Sequence, residues 1–256
     1  MSDPDLPVHR FAAPDGVELA WRELGEGRPV VLLHGFVSTG YVNWVKYGHA
    51  RHLAGLGRRV VMPDLRGHGE SAKPHDPAAY PPDVLADDGF ALLHHLGLDD
   101  YDLAGYSLGS RTVTRMLVRG ARPGRAVLAG MGLERILDLG KAIAWYRRVL
   151  GSHGSYRHGD PEFMTQAFIK TVGGDPEALV RVIEASVETS REDVAAVDLP
   201  VQVLMGDQDD DHGSGDDLAE LLPQGRYDGV PGSHMGAVAR PELGEAIGRF
   251  LGPGSP

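Results

Sequence analysis

Gly105-Tyr106-Ser107-Leu108-Gly109 is the segment of the sequence with the clearest potential for chemistry. It follows an apolar run typical of a strand, Asp102–Tyr106, and it precedes a helical pattern, Leu108–Val118. A serine between two glycines at such a junction requires a very sharp turn, which exposes its hydroxyl above the sheet. The pattern therefore predicts a nucleophile at Ser107, although a serine at this position could also be an ordinary helix cap.

A serine nucleophile needs an acid and a histidine, which follow it in that order when the serine lies on such a turn. Met205-Gly206-Asp207-Gln208-Asp209 ends one predicted strand, and Pro231-Gly232-Ser233-His234 follows the next. Both segments come at the carboxyl ends of strands, where α/β sheets place their sites. We expect His234 to accept the Ser107 proton and an aspartate of the first segment to hold the imidazole tautomer.

The segment His34-Gly35-Phe36 could supply the donors for an oxyanion. Its first residue is the last of a nearly all-apolar run, Pro29–His34, and its glycine allows a substrate to approach the backbone closely. We predict that the backbone N–H groups of Phe36 and Leu108 bind the oxyanion of a tetrahedral intermediate. His34 is interpreted as a structural residue that holds this loop through a hydrogen bond.

Together with Asp64-Leu65-Arg66-Gly67-His68-Gly69-Glu70-Ser71, these segments resemble the α/β-hydrolase superfamily. The resemblance covers about residues 8–132 and 197–251, and within the superfamily it is nearest to small bacterial esterases, lactonases and non-heme haloperoxidases. It implies an α/β-hydrolase fold: a mostly parallel eight-stranded sheet flanked by helices, with a small helical cap inserted after strand 6. It further implies no cofactor and hydrolysis of an ester or a related bond.

The resemblance also bears on single residues. The G-x-x-D spacing of the family selects Asp209 as the acid in preference to Asp210. The block around Arg66 is interpreted as a network that braces a loop. One departure lies just after the nucleophile, where many members have a further glycine and this chain has Ser110 and Arg111. We expect the larger side chains to narrow the space behind the turn.

The alternation of short apolar runs with helical patterns is typical of a mainly parallel sheet. Residues 133–196 break it with three predicted helices and no clear strand: Leu133–Leu150, Glu162–Val172 and Asp175–Glu188. We therefore predict a core formed by residues 1–132 and 197–256, with a cap at 133–196 lying over the strand ends. The residues expected to line the substrate pocket are His34, Gly35, Tyr106, Met131, Trp145 and Met235.

Composition limits the class of protein. The formal charge of −11 at pH 7 disfavours binding to nucleic acids or to an anionic membrane surface. The chain has no cysteine, and no apolar run approaches the roughly 18 residues of a membrane helix. The first ten residues lack the features of a secretory signal, so we expect a cytoplasmic protein whose partner is a small-molecule ester or lactone. The sequence does not indicate an oligomeric state.

No metal site is expected. Alternate aspartates occupy three ligand positions of a calcium-loop pattern: Asp207, Asp209 and Asp211. However, His212 and Leu218 stand where that loop requires glycine and glutamate. His49 and His52 have a spacing that could bind a metal, but with no third ligand in view they are interpreted as a solvated helix face.

Three functions remain open. The leading prediction is a carboxylic-ester or lactone hydrolase that forms an acyl-enzyme on Ser107. The first alternative is hydrolysis of a carbon–carbon bond in a β-diketone-like substrate, and the second is a ligand sensor that retains the triad. Serine at position 107 excludes the dehalogenase and epoxide-hydrolase branches of the superfamily, which the resemblance associates with an aspartate nucleophile.

Overall fold

A computed structural model describes residues 6–254 of the chain, and its centre is an eight-stranded sheet. The remaining residues of the predicted core segments, 1–5 and 255–256, lie outside the described residues. The strands are β1 (His9–Ala12), β2 (Glu18–Leu24), β3 (Arg28–Leu33), β4 (Arg58–Asp64), β5 (Asp102–Tyr106), β6 (Ala126–Ala129), β7 (Val201–Gly206) and β8 (Gly225–Val230).

The strand order in the sheet is β1-β2-β4-β3-β5-β6-β7-β8. Strand β2 runs antiparallel to both β1 and β4, and every other pairing is parallel. The predicted eight-stranded, mostly parallel sheet is confirmed. Because β3 to β8 all point the same way, their carboxyl ends open at one edge, where ligands bind in such sheets.

Helices cover both faces of the sheet. Side chains of β3 alternate between the faces, so that Val31 and Leu33 join the core beneath one helical layer while Val30 and Leu32 join the other. The helices are α1 (His49–Gly55), α2 (Val84–His95), α3 (Leu108–Val118), α4 (Leu133–Leu137), α5 (Gly140–Gly151), α6 (Phe163–Thr171), α7 (Pro176–Glu184), α8 (Arg191–Ala195), α9 (Gly215–Leu221), α10 (His234–Val238) and α11 (Pro241–Leu251). Helices α2, α3 and α9 supply the first layer, and α1, α10 and α11 supply the second.

The predicted helical cap between β6 and β7 is confirmed, and it consists of α4 to α8. The single helix predicted over Leu133–Leu150 is wrong, because the chain becomes extended at Asp138. The carboxylate of Asp138 accepts a hydrogen bond from Gly140 N at 2.7 Å and so separates α4 from α5. Within 6–254, we find no helix with the length and apolarity that a bilayer span would require.

Candidate active site

Ser107 lies on the turn between β5 and α3 with φ 53° and ψ −112°. Positive φ is unfavourable for a residue with a side chain, and such strain persists only when the surroundings impose it. The neighbouring glycines show how tight the turn is. A Cβ on Gly105 would lie 2.2 Å from the Gly109 carbonyl carbon, and one on Gly109 would lie 2.1 Å from the Leu33 oxygen. No residue with a side chain fits at either glycine.

Ser110, one of the departures from the family pattern, braces the turn that carries Ser107. Its fully buried hydroxyl lies 2.8 Å from the Gly105 carbonyl oxygen and 2.7 Å from that of Ala129, so one proton is shared between two acceptors. Ala129 also accepts the Ser107 N–H at 2.8 Å. The hydroxyl thus links the ends of β5 and β6 around the strained residue, rather than only narrowing the space behind it.

The structure brings Ser107, His234 and Asp209 together at the carboxyl edge of the sheet. His234 Nε2 lies 3.1 Å from Ser107 Oγ, and His234 Nδ1 lies 2.8 Å from Asp209 Oδ2. Because a carboxylate can only accept, Nδ1 carries the imidazole proton and Nε2 is free to accept one from Ser107. Asp210, the alternative acid, is exposed, and it is Asp209 that the structure places against His234.

The loops that carry Asp209 and His234 are bonded to each other. Asp207 Oδ1 accepts Gly232 N at 2.8 Å, and Gln208 N donates to Gly232 O at 3.1 Å. The Tyr106 hydroxyl donates to the His234 carbonyl oxygen. These bonds fix the histidine backbone relative to both the acid and the strand that leads to Ser107.

A second histidine, His212, contacts the same carboxylate. Its Nδ1 lies 2.6 Å from Asp209 Oδ1, and its ring stacks on that of His234 with centroids 3.5 Å apart and planes 10° from parallel. Burial opposes ionisation of Asp209, but the hydrogen bonds from His212 and His234 outweigh it and hold the pKa of the carboxyl at about 2. Asp209 therefore stays ionised, with a histidine on each oxygen.

Asp209, His212 and His234 are also near enough to one another to be considered as metal ligands, since their candidate atoms lie within 4.8 Å. The geometry favours a hydrogen-bond network instead. Both Nδ1 atoms donate to the carboxylate and so carry protons, whereas a metal ligand must present a lone pair.

The loop after β3 lies directly beside the nucleophile. A Cβ placed on Gly35 would be 3.5 Å from Ser107 Cβ. Gly35 N donates to Asn43 Oδ1 at 3.0 Å, and Val37 N donates to His68 Nε2 at 3.3 Å, so the amides on both sides of Phe36 are held. Leu108 is the first residue of α3, in the helical turn whose N–H groups have no partner within the helix.

Two buried histidines hold this loop and take no part in the triad. His34 Nε2 accepts Leu65 N at 2.9 Å and its Nδ1 donates to Gly35 O at 2.8 Å. His68 Nε2 accepts the Val37 amide, and its Nδ1 donates to Arg66 O at 3.0 Å. Burial lowers the pKa of both rings, that of His68 to about 3, so both are neutral.

The other predicted pocket residues lie at different depths. Met131 is buried in the core, and Met235, 58% exposed, stands at the start of α10. Tyr106 is buried with its hydroxyl engaged, and it supports His234 from below. In the cap, the ring of Tyr146 contacts Phe36 at 4.5 Å between centroids, whereas Trp145 stacks under the Arg148 guanidinium. Tyr146 is therefore a cap aromatic in direct contact with the predicted oxyanion loop.

Sequence reasoning assigned no role in the site to His212 or Ser110. His212 follows Asp209 by three residues, and nothing in that spacing signals a stacked ring. The prediction of a solvated face at His49 and His52 is wrong for His49, which is buried with its Nε2 2.7 Å from Val238 O, whereas His52 is exposed as predicted.

A family profile described as the alpha/beta hydrolase fold matches residues 28–133. An esterase structure from Thermogutta terrifontis superposes with a TM-score of 0.78 over 96% of this chain and 98% of its own, at 25% identity. The chain has the α/β-hydrolase fold, and the profile matches its amino-terminal part. The strand order, the cap after β6 and the strained serine turn are all in keeping with that fold.

Sequence relatives of this chain include a non-heme haloperoxidase of Rhodococcus erythropolis, 29% identical over 228 residues, which covers 77% of this chain and 80% of the relative. An epoxide hydrolase of Siraitia grosvenorii is 31% identical over 103 residues, covering 40% of this chain and 31% of the relative. In five of the matched curated relatives the alignment spans only between 30% and 55% of the relative's length. The comparisons support a hydrolase.

Proposed function

We propose that this α/β-hydrolase is a serine hydrolase that cleaves a carboxylic ester or lactone through an acyl-enzyme on Ser107. The observation that carries the proposal is the continuous relay from Ser107 Oγ to His234 Nε2 at 3.1 Å and from His234 Nδ1 to Asp209 at 2.8 Å. The turn that exposes Ser107 and the ionised, buried acid both support the same role.

The reaction proceeds in two halves. His234 accepts the proton of the Ser107 hydroxyl while Oγ attacks the substrate carbonyl carbon, and the N–H groups of Phe36 and Leu108 bind the oxyanion that forms. The tetrahedral intermediate collapses, and protonated His234 gives its proton to the leaving alcohol oxygen. Water, deprotonated by His234, then hydrolyses the acyl-enzyme and releases the carboxylic acid and free Ser107.

The acyl group is expected to be small or medium in size and largely uncharged. Phe36 and Leu108 flank the nucleophile with apolar side chains, and Met235 adds an exposed one at the start of α10. Serine as the nucleophile favours esters over epoxides, although epoxide hydrolases are among the sequence relatives.

The test is a panel of p-nitrophenyl esters of increasing acyl length together with lactones. We expect turnover by the wild-type protein and none by Ser107→Ala at an unchanged melting temperature. The matched control is Ser155→Ala, which removes an exposed cap hydroxyl that bonds only to Ser152 O at 2.7 Å, and it should behave as wild type. Equal turnover by Ser107→Ala would contradict the proposal. Cleavage confined to β-diketones, or ligand binding without turnover, would favour the carbon–carbon hydrolase or the sensor instead.

A further inference from the structure

The pairing of two histidines on one carboxylate goes beyond what a serine triad needs. Asp209 has two oxygens, and each accepts from a different imidazole, at 2.6 Å from His212 and at 2.8 Å from His234. The carboxylate is only 1% exposed, while the side chains of His234 and His212 are 17% and 28% exposed. A buried anion is thus shared by two rings, of which only one reaches Ser107.

We propose that His212 is a positioning residue that orients Asp209 and the His234 ring and keeps that ring neutral as the pH falls. The inference rests on the proposed function, because it concerns the base of the same site. It assigns His212 no contact with the substrate.

The positioning part follows from the contacts. A carboxylate held through one oxygen can rotate about its Cβ–Cγ bond, whereas Asp209 is held through both. The His234 ring is fixed on one edge by Asp209 and across its face by the His212 ring at 3.5 Å. Both restraints favour the orientation in which Nε2 points at Ser107 Oγ, and a pre-oriented base is what proton transfer requires.

His212 is itself held in place, so it can act as a support. Its carbonyl oxygen accepts Gly132 N at 2.7 Å, at the beginning of the cap. The chain before and after it is bonded to α4: Arg135 Nε donates to Asp211 O at 3.0 Å, and Ser214 N donates to Glu134 Oε2 at 2.7 Å. The loop that carries Asp209 and His212 is therefore anchored to the cap as well as to the sheet.

The charge part follows from the shared anion. A positive charge on His212, the more exposed ring, does not occupy the base, because only His234 reaches Ser107. Once His212 is charged, a second proton on a parallel ring 3.5 Å away meets direct repulsion. The lowered pKa of His234 agrees: burial is the largest cause, the Asp209 hydrogen bond opposes it, and His212 lowers it further.

Other charged and titratable groups lie on the elements around the pair and must be kept constant in any test. They are Asp209 and the exposed Asp210 and Asp211 on the same loop, Glu134 and Arg135 on α4, and Tyr106 on β5. Arg135 also lowers the pKa of His234, so its charge adds to that of His212 in the same direction.

Two substitutions separate the contributions. His212→Asn keeps a donor to Asp209 Oδ1 but removes the ring and its titration, and His212→Phe keeps a ring against His234 but removes both the donor and the charge. The measurement is the rate of fluorophosphonate labelling of Ser107 across pH, together with ¹⁵N NMR titration of the His234 ring. Melting temperatures show whether each variant is folded.

At acid pH the labelling rate falls as His234 becomes protonated, and this part of the pH profile is the acid limb. We expect its midpoint to rise in both variants by on the order of one pH unit, because His234 then takes the proton alone. At pH 8 we expect both variants to label several-fold more slowly than wild type, because His212→Asn removes the ring that packs on His234 and His212→Phe removes the donor to Asp209 Oδ1. A change in rate with no shift of the acid limb would overturn the charge part, as would a wild-type midpoint in the NMR titration. Equal rates for both variants and wild type at pH 8 would overturn the positioning part.

The outcomes for the two proposals are distinguishable. If Ser107 of the folded wild-type protein is not labelled at any pH, the proposed function fails, while the NMR titration of His234 still tests His212. If labelling is normal and the titration midpoints coincide, the proposed function stands and the charge part of the His212 inference fails.

Discussion

The hydroxyl of Ser110 offers a sharp test of how the nucleophile is held. Ser110→Ala removes a fully buried donor that lies between the carbonyl oxygens of Gly105 and Ala129, and it changes the volume by a single oxygen. Loss of one buried hydrogen bond costs about 1 kcal/mol of unfolding free energy, somewhat more when acceptors are left unsatisfied. Backbone strain at a residue with positive φ, such as Ser107, is of order 1–3 kcal/mol. The hydrogen bonds of Ser110 and the strain at Ser107 are therefore comparable in free energy.

A brace of that size has a measurable consequence at Ser107. If the Ser110 hydroxyl stabilises the reactive conformation of the turn by about 1 kcal/mol, its removal slows fluorophosphonate labelling of Ser107 about fivefold. The control is Thr114→Val, one turn further along α3, which removes a buried hydroxyl that donates only to Ser110 O at 2.9 Å. Urea unfolding should show similar losses of stability for both variants, whereas only Ser110→Ala should label more slowly.

Two results would refute this reasoning. Labelling of Ser110→Ala at the wild-type rate would mean that the turn holds Ser107 without the hydroxyl. Equal slowing by Thr114→Val would mean that labelling reports general destabilisation of α3 and not the local brace.

Three further predictions concern the acid, the buried histidines and metals. Asp209→Asn should slow ester turnover by orders of magnitude while Asp210→Asn, at an exposed carboxylate, leaves it near wild type; the reverse result in steady-state kinetics would reassign the acid. Below about pH 6.5, His34 and His68 bind protons in the unfolded chain but stay neutral in the folded protein, where they are buried. The free energy of unfolding should therefore decrease as the pH drops below about 6.5, by roughly 1 kcal/mol per pH unit for each histidine. Urea unfolding of His68→Gln should show a shallower pH dependence, and an unchanged one would contradict the assignment of His68 as buried and neutral. Incubation with EDTA should leave ester turnover unchanged, and inhibition would indicate a metal-dependent site.

The fold, and the grouping of Ser107, Asp209 and His234 at one edge of the sheet, were readable from the sequence because they depend on neighbours along the chain. The glycines around Ser107 are required by the turn itself, so five residues and their flanking patterns were enough to predict a strand–turn–helix unit. Parallel strands then bring the segments of Asp209 and His234 to the same edge of the sheet, whatever the intervening loops do.

The features that the sequence did not predict depend on the paths of loops and on contacts between distant elements. His212 reaches His234 because the loop after β7 is bonded to Gly132 and Glu134 across the start of the cap, contacts between residues about 80 positions apart. The break at Asp138 is a similar case: the apolar pattern continues through it, but a side-chain hydrogen bond to Gly140 N competes with the helix. The burial of His49 depends on α11 packing against α1, which no local pattern shows.

The central claim is that Ser107 is an activated nucleophile, and intact-mass spectrometry after exposure to a fluorophosphonate tests it most directly. The wild-type protein and Ser155→Ala should each gain the mass of one adduct, and Ser107→Ala should gain none. The same adduct on Ser107→Ala, or no adduct on folded wild-type protein, would contradict the claim.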